Sequence, residues 1–217
     1  MIRFPETTYI GKRIPKEGFY SVVDFTTTQK RAFIDDIELI LWRNVLSENT
    51  INVSKGEKVV QIDIIQINLK RKAYSKSILD VIEKVIPRHL LFVLKYNEEY
   101  QLCLNYKEEY QKGKFKIVES YATDWVAEEE LSLHIQGLDL DRVYENFVYQ
   151  IANEKIEKIE GIALSEVIQQ SQEVEKLKRK ISDLENKKRK EKQFNLQLRI
   201  ANKIKSLKLT LKKMTNE

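Results

Sequence analysis

The sequence is poor in the residues that build several familiar classes of protein. Its 217 residues include one Cys, two His, six Gly and three Pro. The lone Cys103 excludes a disulfide framework and a Cys-based zinc cage, and the scarcity of Gly and Pro excludes collagen-like and linker-rich chains. His89 and His134 are too few for a His-rich metal site. No metal is therefore predicted.

Long apolar runs and nucleotide motifs are also missing. The longest apolar run, residues 90–94, is far shorter than the ~18 residues of a membrane span. The first residues lack the apolar segment of a secretory signal. Neither a Gly-rich phosphate loop nor a dinucleotide fingerprint occurs, so no cofactor is predicted. We expect a soluble, cytoplasmic protein without a membrane partner.

Positive charge is abundant, and it is concentrated at one end. From residue 172 onward there are fifteen Lys and Arg against six Asp and Glu, whereas the rest of the chain has twenty-three against twenty-seven. Both Trp and all ten Tyr precede residue 150. We predict an α+β body over residues 1–155 and a basic coiled-coil or helical-hairpin arm over residues 162–217. Gly161 is the expected break between them.

The body has the patterns of a mixed or antiparallel sheet with helices on one face. Thr26 and Gln29 fit a capping box and predict a helix over residues 27–46. Residues 59–69 predict a strand whose alternation changes phase, which indicates a β-bulge near Ile64 and Ile65. The later part of the body predicts four more elements, which are a helix over 75–85, a buried strand over 90–94, its hairpin partner over 100–106 and a further strand over 114–121. Asp139 or Asp141 is the expected cap of a last helix.

The arm carries two heptad seams that are out of phase with each other. A basic run, residues 187–192, interrupts them, so either an antiparallel hairpin or one continuous helix with a stutter is possible. The run contains no Gly or Pro, and we favour an extended rod of about 78 Å. Such a rod needs a partner helix, from another protein or a second copy, to cover the predicted seam residues Val174, Leu177, Ile181, Leu184, Ile204, Leu207 and Leu211.

Two kinds of site are candidates. Clustered cations on the arm favour contact with nucleic-acid phosphates, although a solvated helix surface has the same composition. These cations are Lys187, Lys188, Arg189, Lys190, Lys192, Lys203, Lys205 and Lys208. Alternatively, Glu57, Asp63 and Lys70 are candidate catalytic residues of a divergent metal-dependent nuclease. In that alternative Asn68 occupies the position where a restriction-type site needs an acid.

Several motifs in the body resemble those of a bacterial family whose function is not known. The resemblance covers roughly residues 3–152 and rests on six short motifs, FP at 4–5, KRIPK at 12–16, WRN at 42–44, PRHLLF at 87–92, TDW at 123–125 and VYENF at 143–147. Members of that family are often encoded beside a large helicase and a DNA methyltransferase, in clusters resembling restriction-modification or phage-defence systems. The resemblance implies an accessory role and identifies no functional residues.

These observations lead to one functional hypothesis. We expect a non-enzymatic adaptor subunit that docks a larger protein, such as a helicase or methyltransferase, through its body and coiled coil. The basic arm would then contact the DNA backbone without reading the base sequence.

Overall fold

The described residues, 4–111 and 113–215, form a mixed β-sheet with helices, followed by two long helices, in this computed structural model. The chain divides into two units, Met1–Asn153 and Glu154–Glu217. We call the first the body and the second the arm. The body strands are β1 (Tyr9–Arg13), β2 (Ile37–Ser47), β3 (Gln61–Leu69), β4 (His89–Tyr96), β5 (Glu99–Gln111), β6 (Lys114–Ala122) and β7 (Val126–Ala127). The body helices are α1 (Glu17–Tyr20), α2 (Thr27–Asp35), α3 (Glu48–Ile51), α4 (Ser77–Val85) and α5 (Leu140–Ala152). The arm helices are α6 (Leu164–Lys190) and α7 (Phe194–Thr215), and short 3-10 turns occupy Glu6–Thr8 and Asn153–Lys155.

The sheet runs in the order β1-β2-β3-β4-β5-β6, with β7 paired to one end of β5. Only β3 and β4 are parallel among these pairs, and the other pairs are antiparallel. The parallel pair needs a crossover connection, which α4 provides. The predicted α+β class with a mixed sheet is confirmed.

Helices cover both faces of the sheet. On one face Phe33 of α2 and Ile82 of α4 belong to the same buried cluster as Ile65 and Phe92 of the central strands. On the other face α5 packs against β3, β5 and β6. The Tyr144 hydroxyl of α5 donates to a β5 carbonyl at 3.0 Å. The structure thus adds a helical layer to the single one predicted, which explains why β4 is buried over residues 89–94.

The first predicted helix is right at its start and wrong over its second half. The Gln29 backbone N–H donates to Thr26 Oγ1 at 3.2 Å, and Gln29 Oε1 accepts from the Thr26 N–H at 3.0 Å, so the capping box is present. The helix ends at Asp35, however, and residues 37–47 form β2. The register of β2 against β3 shifts twice, between Ile37 and Leu39 and between Trp42 and Asn44. These irregularities break the two-residue alternation and leave buried residues at helix-like spacing.

The β-bulge predicted near Ile64 and Ile65 is not in β3, and the irregularity lies in the neighbouring strand β2. β3 pairs with β4 without any register shift from Ile62 to Asn68. The irregularity lies in β2 between Trp42 and Asn44, whose partners are Ile65 and Ile64. Because β3 is regular, Ile64 and Ile65 point to opposite faces, and both are buried. The phase change in the sequence therefore reflects a strand covered on both sides.

The remaining body elements follow their local signals. Pro87 comes two residues after α4 ends, and Asn97 turns the chain between β4 and β5 with a positive φ of 52°. Asp139 caps α5, since its carboxylate accepts the Arg142 N–H at 2.9 Å. The neighbouring Asp141 accepts three backbone N–H groups from the loop before β3, with closest distances of 2.9, 3.1 and 2.7 Å from Glu57, Lys58 and Val59.

The arm is a helical hairpin. Three residues join α6 to α7, and the two helices pack against each other. Ile181 and Ile204 are only 6 % and 8 % exposed. The other predicted seam residues, Val174, Leu177, Leu184, Leu207 and Leu211, are all half-buried. The preference for an extended rod is therefore wrong, because each helix of the arm covers the apolar seam of the other.

Candidate functional site

The turn of the hairpin is fixed by a glutamate. Glu191 follows the last residue of α6 in an extended conformation. Its Oε1 accepts the backbone N–H groups of Lys192 and Gln193 at 2.9 and 3.0 Å. Gln197 of α7 donates from Nε2 to the Glu191 carbonyl oxygen at 2.6 Å. These bonds satisfy donors at the start of α7, so the turn is ordered without Gly or Pro.

The predicted basic run lies at this turn. Lys187, Lys188, Arg189 and Lys190 occupy the last turn of α6, and all four are exposed, as is Lys192. Cations in the last turn of a helix also compensate the partial negative charge of the helix C-terminus, so part of the run has a structural role. The run nevertheless holds five like charges in a short segment, more than helix capping requires.

A groove of 560 Å³ runs along the hairpin between its two helices. Its lining consists of Glu185, Lys188, Arg189, Gln197, Ala201, Ile204 and Lys208. The structure thus brings three of the eight predicted nucleic-acid contacts into one concavity. The other five, Lys187, Lys190, Lys192, Lys203 and Lys205, are exposed on the arm and do not line this groove.

The groove holds one acid among its three cations. Lys208 Nζ lies 2.7 Å from Glu185 Oε1, which links α7 to α6 across the groove. The hydrogen bond and charge of Lys208, then the charges of Arg189 and Lys188, hold the pKa of Glu185 below its usual value. The lowered pKa reflects a positive local field. An anionic ligand would meet the same cations and would compete with the Glu185 carboxylate for Lys208.

The body contains a separate network of polar side chains around Asp63. Asp63 is buried on the sheet face that bears Ile65. Its Oδ1 accepts from Gln61 Nε2 at 2.6 Å and from Trp42 Nε1 at 3.1 Å, and its Oδ2 lies 2.7 Å from Arg88 Nε. Burial raises the pKa of Asp63, and the Gln61, Arg88 and Trp42 contacts oppose that rise. Through Oδ1 and the contact with Arg88, this carboxylate joins β2, β3 and the residue before β4.

A buried ion pair lies beside that network. Lys107 Nζ is 2.5 Å from Glu83 Oε2, and the two side chains are 2 % and 3 % exposed. Lys107 also donates to the Arg88 carbonyl oxygen. Burial raises the pKa of Glu83 to about 7, although the charge of Lys107 acts in the opposite direction. Burial and the Lys107 charge lower the pKa of nearby His89 to about 4.

Sequence reasoning missed this ion pair because neither residue belongs to a motif. The available signal was positional. Glu83 lies one turn after Leu79, on the apolar side of α4. Lys107 continues the row of Cys103 and Asn105 on the β5 face opposite the Tyr and Leu residues. Two opposite charges at positions patterned for burial predict a pair, but the sequence does not show that α4 and β5 meet.

The alternative catalytic residues are not brought together. Asp63 and Lys70 are seven residues apart along β3 and its extension, or about 23 Å at the strand rise. Lys70 Nζ donates to the Ile34 carbonyl oxygen at 2.8 Å, which caps the end of α2. Glu57 is exposed in the loop that contacts Asp141. Gln66 and Asn68 lie on the face of β3 opposite to Asp63 and bond to each other at 2.9 Å.

Fold and site together define a mixed α+β body with a basic helical hairpin. The chain matches the family described as "Domain of unknown function (DUF4391)" over residues 2–211, and it belongs to that family. The match extends well into the arm, so the hairpin is part of the family domain. No curated protein matches the chain, and no solved structure matches it.

Between residues 4 and 215, leaving out 112, none of the helices combines the length and apolar character needed to cross a bilayer. Over the same residues, no group of three or more His, Cys, Asp and Glu side chains is arranged to hold a metal ion. The groove of the arm brings together three of the cations that the sequence predicted as phosphate contacts.

Proposed function

We propose that this protein is a non-enzymatic accessory subunit that binds the phosphate backbone of nucleic acid through its basic hairpin. It acts in the cytoplasm with a larger protein, and the resemblance to a bacterial family points to a helicase or methyltransferase of a DNA-processing or defence system. The observation that carries the proposal is the groove in which Lys188, Arg189 and Lys208 meet.

The charge distribution supports binding by the arm alone. From residue 172 the excess of Lys and Arg over Asp and Glu is nine, while the rest of the chain has four more acids than bases. The attraction for a polyanion is therefore concentrated in the part of the arm after residue 172. Binding of this kind is driven by counterion release, and its affinity falls steeply with salt.

Docking of a larger protein belongs to the body in this proposal. Ile181 and Ile204 of the seam are buried within the hairpin, and the other predicted seam residues are half-buried, so the seam is largely used between α6 and α7. The body contains the exposed sheet edges and loops that remain for protein contact. Co-purification with a helicase or methyltransferase partner is the expected result for the unaltered chain and for a chain whose groove cations are neutralised.

The test compares two triple variants of the full chain with equal loss of charge. The arm variant is Lys188→Gln, Arg189→Gln and Lys208→Gln. The control changes three exposed body cations, Lys55→Gln, Lys58→Gln and Lys76→Gln. Fluorescence anisotropy with a labelled duplex at several salt concentrations gives the affinity and its salt slope.

We expect the arm variant to weaken binding and to lower the slope of log K against log salt by about 0.9 for each phosphate that is no longer neutralised. The control should change neither quantity by a comparable amount. Equal affinities and equal salt slopes for the two variants would show that the arm is not the binding site. If the unaltered chain binds no nucleic acid at low salt, the whole proposal is wrong.

A further inference from the structure

The arm exposes one aromatic side chain that binding by charge alone does not require. Phe194 is the first residue of α7 and is 74 % exposed, and it is the only aromatic residue after position 149. Exposing a large apolar side chain forgoes the stabilisation that burial would provide. The Glu191 hydrogen bonds hold the turn just before it, so Phe194 is presented on an ordered segment.

Phe194 lies in line with the groove. Gln197, Ala201, Ile204 and Lys208 line the groove from α7, and Phe194 precedes Gln197 by three residues. The 3-4-3-4 spacing places all five on one side of the helix. Phe194 therefore stands at the turn end of this α7 row, and Lys208 is the one groove cation in the row; Lys188 and Arg189 lie on α6.

We propose that the groove and Phe194 together form a site for single-stranded nucleic acid. A base stacks on the Phe194 ring, and the adjoining phosphates contact Lys188, Arg189 and Lys208. This inference rests on the proposed function and names the form of nucleic acid preferred. Stacking on an aromatic side chain requires an unpaired base, since bases inside a duplex already stack on one another.

The dimensions fit a short strand. Phe194 and Lys208 are fourteen residues apart on α7, which corresponds to about 21 Å of helix. At the base spacing of a stacked strand this length accommodates roughly six nucleotides. Ala201, a small side chain midway along the row, keeps the floor of the groove open. The recognition is of backbone and base faces, so it is tolerant of sequence.

An anionic membrane surface is the other partner that cations with an apolar side chain attract. We favour a strand because Lys188, Arg189 and Lys208 all line the groove between the two helices, where successive phosphates can lie beside them. Vesicles are therefore included as a competing outcome of the test.

The experiment measures binding of the full chain to a labelled ten-nucleotide thymidine strand and to a duplex of the same length. The variants are Phe194→Leu, Phe194→Tyr and, as a matched control, Leu209→Ala, which alters another exposed apolar residue of α7. Vesicles of phosphatidylserine and phosphatidylcholine provide the membrane probe.

We expect Phe194→Leu to weaken single-strand binding by roughly 5- to 150-fold, the range for loss of one base–aromatic stack. Duplex affinity and the salt slopes should stay within about twofold, because no charge is removed. Phe194→Tyr should retain single-strand affinity, and Leu209→Ala should behave like the unaltered chain.

Three results would overturn the inference while leaving the proposed function in place. These are unchanged single-strand binding by Phe194→Leu, an equal loss on strand and duplex, and a loss confined to vesicles. If the unaltered chain binds neither strand nor duplex, the proposed function fails first and the inference fails with it.

Discussion

Removing Lys107 should destabilise the body severely, and in a manner that depends on pH. Lys107 and Glu83 are 2 % and 3 % exposed and lie 2.5 Å apart. Breaking such a pair by deleting one partner costs about 3–5 kcal/mol, because the remaining charge stays buried without compensation. Lys107→Met keeps most of the side-chain volume, so the electrostatic loss should dominate over any cavity.

The pH dependence follows from Glu83. Burial raises its pKa to about 7 even with Lys107 present, and without Lys107 the pKa rises further. A carboxyl with a raised pKa in the folded state costs stability as pH rises through that pKa, because the unfolded chain then releases its proton more readily. We therefore expect the loss in Lys107→Met to be largest near pH 8 and to shrink toward pH 5, where Glu83 is neutral.

The double variant Glu83→Met with Lys107→Met is the matched control. Replacing a whole buried ion pair by apolar side chains of similar volume is often close to neutral. The double variant should therefore recover most of the stability lost by the single one, with a coupling energy of a few kcal/mol. A residual loss of about 1 kcal/mol is expected because Lys107 also donates to the Arg88 carbonyl oxygen.

Equilibrium urea unfolding followed by Trp fluorescence measures these changes in the body. Trp42 and Trp125 both lie in the unit Met1–Asn153, so the arm does not contribute to the signal. Two results would refute the reasoning. One is a loss below about 1 kcal/mol at pH 8 for Lys107→Met. The other is a double variant as unstable as the sum of the two single variants.

Two further predictions concern other parts of the chain. Burial lowers the pKa of His89 to about 4, against about 6.5 in an unfolded chain. The stability that neutral His89 contributes is present above pH 6.5 and is lost as pH falls toward 4. Over that window the free energy of unfolding of His89→Phe should rise by on the order of 3 kcal/mol relative to that of the unaltered chain. Urea titrations at several pH values measure this difference. A constant difference would contradict this. In the arm, Glu191→Ala should remove the cap of α7 at a cost of about 1 kcal/mol. Hydrogen exchange of the amides of residues 192–197 should then be roughly fivefold faster, while Glu173→Ala, an exposed acid in mid-helix, should leave these amides unchanged.

Local signals in the sequence predicted the helix ends and turns that are stabilised by residues close by in the chain. The Thr26 and Gln29 pair fixes the start of α2 because both partners lie within one turn. Asn97 tolerates the positive φ that the β4–β5 hairpin needs. Asp139 caps α5 through a bond to its own first turn. Each of these interactions spans only a few residues, so the sequence alone reveals it.

The errors arose where distant segments decide the structure. The irregular pairing of β2 with β3 leaves the buried residues of β2 at the spacing of a helix. The sequence of β2 alone does not show this irregularity, because the irregularity is defined by the pairing with β3. Coverage by helices on both faces made β3 look bulged. The turn of the arm depends on Glu191, a residue type typical of helix interiors, whose carboxylate acts as a cap once α7 folds back.

For the candidate site, the sequence predicted the cations and not their grouping. All eight predicted Lys and Arg are exposed on the arm, but only the hairpin brings Lys188 and Arg189 of α6 to Lys208 of α7. Phe194 was visible as an isolated aromatic residue. Its relation to the groove depends on where the chain turns, which the seam pattern left undecided.

The carboxylate of Asp141 joins two segments of the chain that the ribosome synthesises at different times. It accepts backbone N–H groups from residues 57–59, and the bond to Val59 spans 82 positions of the chain. On the ribosome the beginning of β3, a central strand, therefore emerges long before the residue that secures it. At about 5–20 residues per second the delay is about 4–16 s. During that interval those three amides depend on water, so the loop that leads into β3 is secured only after α5 has been made.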